Sequence, residues 1–159
     1  MSRGRVAAAA LALAVVLAGA PVLGEPAEPL PGTRVLPSGH AFADLIARLE
    51  QAVKDNQMGV VASASASRGA AARGVQIPGN AVIMVFRNDF AVRMLEASVP
   101  AGIEAPLRFY VTENADGSAS LTYRAPSAVF APYGVPQVDA LAQELDTIFG
   151  KIAAQAVAP

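Results

Sequence analysis

Apolar residues recur along this chain with two periods, and the switches between them mark its elements. Phe42, Leu45, Ile46, Leu49 and Val53 stand at offsets of 3, 4, 7 and 11 residues, one stripe of an amphipathic helix. Ser38 is its expected cap, and Asn56-Gln-Met-Gly59 ends it. Phe90, Met94 and Leu95 predict a shorter helix from Asn88, its expected cap, to Val99, closed by Pro100-Ala-Gly102. Val138, Leu141, Leu145, Ile148, Phe149 and Ile152 predict a long terminal helix from about Gln137.

Strand signals lie between these stripes. Ala81–Phe86 is a continuous apolar run, hence a buried central strand. Leu107–Glu113 and Ser118–Arg124 are joined by Asn114-Ala-Asp-Gly117, a hairpin signal. Pairing Glu113 with Ser118 would set Arg108 against Tyr123, where guanidinium and ring could stack. Thr33–Leu36 predicts a short strand stopped by Pro37. From Ala62 to Ser67 alanine and serine alternate, so a strand over 59–67 would carry every serine on one face. Two readings stay open there: a wet serine face with close packing on the alanines, or a gap left for a ligand or another subunit. Arg68–Gly74 predicts a short helix or helical turn, and Ala125–Pro136, with three prolines, a structured loop or broken helix. The order β-α-β-(short α)-β-α-β-β-α predicts an α+β fold. Its economical form is a two-layer sandwich: one mixed or mostly antiparallel sheet with helices packed on it.

The N-terminus has another pattern. Arg3 and Arg5 precede Val6–Leu17, about twelve apolar residues, too few for the roughly 20 of a membrane-spanning helix. Small residues follow. A signal peptide over residues 1–24, cleaved after Gly24 rather than before Pro21, places the protein in the periplasm or outside the cell. An uncleaved N-terminal anchor is the alternative. Residues 25–32, with three prolines, read as a tether, and 33–156 as one domain.

Composition changes this picture in two ways. The chain is 53% hydrophobic with a mean hydropathy of +0.41, and the leader accounts for much of that excess. Losing Arg3 and Arg5 lowers Lys+Arg from 12 to 10 against 13 Asp+Glu, a mature net charge of −3. A mildly acidic domain without a basic tract is a poor partner for nucleic acid or for anionic membranes.

Candidate chemistry is sparse. There is no cysteine and one histidine, so disulfides, thiol catalysis and multi-histidine metal sites are excluded. His40 reads as an exposed first-turn residue of a helix. No nucleophile elbow, phosphate loop or metal-ligand spacing is found, so no catalytic residue, metal or cofactor is assigned. The arginines stand out: Arg68, Arg73, Arg87, Arg93, Arg108 and Arg124 occupy the middle of the chain, against two lysines in all. They read either as an anion site or as surface ion-pairing groups.

From Ala101 the residue order resembles the bacterial and archaeal family called domain of unknown function 302. Ala-Gly-Ile-Glu-Ala-Pro-Leu-Arg108, Glu113-Asn-Ala-Asp-Gly117 and Thr122-Tyr123-Arg-Ala-Pro126 carry it. Two departures stand: Arg87-Asn88-Asp89 replaces the family's frequent Gly-Asn-Pro, and the Ala–Ser alternation replaces a frequent histidine. The resemblance implies an α+β sandwich and self-association, and no reaction. The expectation is an exported, non-enzymatic module binding a small anionic ligand or a protein partner, with Ser63, Ser65, Asn88, Arg108 and Tyr123 as candidate ligand-binding residues. The alternatives are a homodimeric structural unit and an enzyme using carboxylates.

Overall fold

A computed structural model of the protein describes residues 29–159; the leader, its cleavage point and tether residues 25–28 lie outside the described residues. Five strands form one sheet: β1 (Thr33–Ala41), β2 (Gly59–Ala64), β3 (Asn80–Phe86), β4 (Leu107–Glu113) and β5 (Ser118–Arg124). Their order is β1-β5-β4-β3-β2, and every pairing is antiparallel. The helices are α1 (Phe42–Asp55), α2 (Ala66–Ala71), α3 (Asn88–Ala97), α4 (Pro126–Phe130) and α5 (Pro136–Val157), with 3-10 turns at Val99–Glu104 and Ala131–Tyr133. Among the described residues no helix is long and apolar enough to cross a membrane.

Period-2 alternation assigns the faces. Ala81, Ile83 and Val85 of β3, Leu107, Phe109 and Val111 of β4, and Ala119 and Leu121 of β5 are buried on one side. The stripes of α1 (Leu45, Leu49, Val53) and α5 (Val138, Leu141, Leu145, Phe149, Ile152) close over them. Phe109 and Phe149 stack with centroids 4.7 Å apart, tying the middle strand to the middle of α5. The opposite face is uncovered over much of its area: Val35 is 60% and Tyr110 42% exposed. The architecture is thus the expected α+β sandwich, with a wholly antiparallel sheet.

Local expectations change at several points. Pro37 does not stop β1; it continues the edge strand opposite Ser120, where a missing N–H costs no ladder bond if it faces outward. Ser38 therefore lies in β1, its Oγ donating to Ala119 O at 2.8 Å, and α1 begins at Phe42 without a side-chain cap. His40 also belongs to β1, with Nε2 2.7 Å from Ala158 O. Arg48 of α1 donates to Ala156 O, so these two side chains satisfy carbonyls at the end of α5.

The Ala–Ser alternation is not one strand. β2 stops at Ala64 and Ser65 caps α2, its Oγ accepting from Arg68 N at 3.1 Å. A serine's ability to satisfy a first-turn N–H outweighed the period-2 pattern. Asn88 is the first residue of α3, and the cap position is Arg87.

The hairpin register also differs. Asn114 N donates to Ser118 O at 2.8 Å and Gly117 adopts φ +83°, so the loop holds three residues. Glu113 then faces Ala119, and Phe109 faces Tyr123. The expected pairing would have set Phe109 and Val111 against Thr122 and Ser120, apolar against polar. A one-residue slip exchanges those partners, and burial of one face decides between the two.

Candidate functional site

With this register the open face acquires ordered rows. One row runs Thr33, Arg124, Arg108 and Met84 across β1, β5, β4 and β3; Thr33 pairs with Arg124 and Met84 with Arg108. The β4–β5 ladder ends at Phe109–Tyr123, and extending its register by one step brings Arg108 beside Arg124. Directly opposed side chains lie about 4.5–5.5 Å apart at their Cβ atoms. The next row is Val35, Thr122, Tyr110 and Val82.

Thr33, Arg124 and Arg108 of the first row and Thr122, Tyr110 and Val82 of the second floor a groove of about 280 Å³. Leu30, just before β1, Glu104, at the end of the 3-10 turn before β4, and Val129 of α4 wall it. The two arginines differ in how they are held. Arg124 is half-buried and donates from Nη2 to Ala128 O at 3.2 Å, while its Nε is sealed from solvent without an acceptor. Arg108 is exposed. Among the described residues the ion pairs are Arg87–Asp89 and Arg93–Glu144, so neither groove arginine is neutralised that way. Glu104 is itself engaged, accepting from Tyr133 OH at 3.1 Å; burial and that carboxylate raise the Tyr133 phenol above its ordinary value.

Tyr123 lies on the other face. Its ring packs against Phe109 and Phe149 at 5.3 and 6.0 Å, so it does not stack on Arg108. Burial raises its phenol pKa, Arg34 opposes the shift and Asp146 adds to it. Those neighbours flank a separate cavity of about 170 Å³. Ser63 is exposed on edge strand β2, opposite Ile83. Ser65 caps α2, and Asn88 is exposed at the start of α3. Of the five candidates, Arg108 and Tyr123 line the groove, the Tyr123 ring turned to the core face, and none of Ser63, Ser65 and Asn88 lines it. Tyr110, Thr122 and Val82 were not among the expected site residues, and Arg124 stood only among the arginines read as an anion site or as ion-pairing groups. Matching apolar partners across the hairpin was the signal that could have found them.

A family model, "Domain of unknown function DUF302", matches residues 34–155. The chain belongs to the DUF302 family. The match runs from β1 into α5 and takes in the groove's lining residues except Leu30 and Thr33. Among curated proteins none matches this chain. The crystal structure of an uncharacterized conserved DUF302 protein from Bacillus stearothermophilus is similar to it in fold, with a TM-score of 0.72 at 16% identity. That similarity covers 79% of this chain and 98% of the other.

Proposed function

We propose that this chain is an exported, non-enzymatic binding domain that takes a small anionic ligand in the groove on the open face of its sheet. One observation carries the reading: Arg108 and Arg124, on neighbouring strands one step beyond the Phe109–Tyr123 pair, line the same groove with no carboxylate paired to either among the described residues. Like charges so placed repel. A bound anion would turn that repulsion into two charge-assisted contacts. Export is supported by the leader pattern of residues 1–24 and places the site in the periplasm or outside the cell.

Asp89, Asp116 and Glu144 are displaced downward, held ionised by Arg87, by Ser118 and by Arg93 respectively, and none of the three lines the groove. Among the described residues no three His, Asp or Glu side chains cluster as metal ligands would.

The test is native mass spectrometry of the processed protein, followed by calorimetric titration with small anions. The expected result is a mature N-terminus at Glu25 and saturable anion binding that Arg108→Ala or Arg124→Ala abolishes. Binding that persists in both variants would overturn the reading. The second reading, a homodimer, draws on β2, an exposed edge strand of small residues with an unpaired outer side. Sedimentation showing only monomer at high concentration would remove it.

A further inference from the structure

The groove has two chemically different rows, and their spacing defines a ligand class. The Arg124–Arg108 row and the Thr122–Tyr110–Val82 row are two residues apart on the same strands, hence ~7 Å apart along them. An anionic head on the first row therefore lays a short body across the second. That second row offers the face of Tyr110 and the side chain of Val82, with Leu30 and Val129 at the wall. Apolar lining around a few fixed polar groups is the usual form of a small-molecule site.

Charge narrows the head. The ionisable side chains that line the groove with a fixed charge are two arginines and Glu104, a net of one positive charge. A singly charged head balances this, whereas a doubly charged phosphate would stand against Glu104 with one charge uncompensated. A planar carboxylate also matches the forked guanidinium donors of exposed Arg108.

Resting on the binding reading above, we propose that the ligand is a monocarboxylate with a short branched or aromatic apolar body, its head between Arg108 and Arg124 and its body over Tyr110 and Val82. Such a molecule is recognised at both ends: neither a bare carboxylate nor an apolar alcohol satisfies both rows.

Calorimetric titration of the processed protein with 4-methylpentanoate, acetate, 4-methylpentan-1-ol and inorganic phosphate tests this. 4-Methylpentanoate should bind at least about tenfold more tightly than acetate, since its extra carbons leave water. The alcohol should not bind measurably. Tyr110→Ser, at an exposed position, should erase the advantage over acetate, and Arg108→Gln should erase both affinities. Equal binding of acetate and 4-methylpentanoate overturns the apolar body. Arg108-dependent phosphate binding tighter than either carboxylate overturns the monocarboxylate class while leaving the anion site standing. No binding of any anion overturns both proposals.

Discussion

Arg108 of β4 and Arg124 of β5 line one groove on the uncovered side of the sheet, one step beyond the last paired residues, Phe109 and Tyr123. Each has an uncharged outer neighbour, Met84 and Thr33. Cross-strand pairs are the unit of sheet stabilisation, and opposite charges are the favourable choice. Two arginines side by side are the unfavourable choice. The Nε of Arg124, enclosed without an acceptor, adds to that cost. The pair makes sense as a site whose local instability is relieved by an anion.

Substitution at this pair should therefore move stability and binding in opposite directions. Arg108→Gln removes the repulsion and should raise the unfolding free energy of the ligand-free protein by about 0.2–1 kcal/mol in urea denaturation. The same variant should lose anion binding. A destabilised variant would show that Arg108 is a packing residue instead.

Ser65 is expected to act on stability alone. It accepts from Arg68 N at the start of a six-residue helix. Ser65→Ala should cost about 1 kcal/mol, and Ser65→Gly only a few tenths. Hydrogen exchange should report the loss locally, in the amides of α2, with anion affinity unchanged.

Gly32 fixes the tether to the groove wall. It adopts φ +76°, its carbonyl accepts from Ala125 N, and an added Cβ would fall 2.2 Å from the Ala128 Cβ. Gly32→Ala combines a left-handed conformation with a collision against α4. It should destabilise by about 2–4 kcal/mol, read from the urea midpoint.

Acid should weaken the fold in a defined window. Glu144 sits below its ordinary 4.5 because Arg93 donates to it at 2.6 and 2.9 Å. Asp89 and Asp116 sit below 3.8, held by Arg87 and by the Ser118 hydroxyl. The folded state thus releases these protons more readily than the unfolded chain. The contribution is fully present above about pH 5 and is lost as pH falls through the lowered values. Denaturation midpoints measured between about pH 6 and 3 should be flat and then fall. Glu144→Gln should flatten part of the decline, and added salt should shrink it, since the Arg93–Glu144 pair is solvent-exposed.

Most of the fold is legible in local pattern. The stripes of α1 and α5 and the apolar run Ala81–Phe86 each need one buried face, and a period of 3.6 or 2 admits few alternatives. Short-range competition is less legible. Whether Ser65 continues a strand or caps a helix depends on which partner its hydroxyl finds, and Arg68 N supplied it. Pro37 gives the same lesson: whether it ends a strand or sits at an edge depends on which of its sides is paired.

The sequence by itself determined the elements, their order, the one-sided burial that makes an α+β sandwich, and the surplus of arginine over lysine. Only the tertiary structure decided what those arginines face. Side-chain period in a strand is two, so a one-residue change in hairpin register moves every cross-strand partner to the other face. With the three-residue turn at Ala115–Gly117, Tyr123 went into the core against Phe109, and Arg124 came out beside Arg108. The groove exists because apolar residues had to meet across the hairpin, and that match is a property of two strands together rather than of either alone.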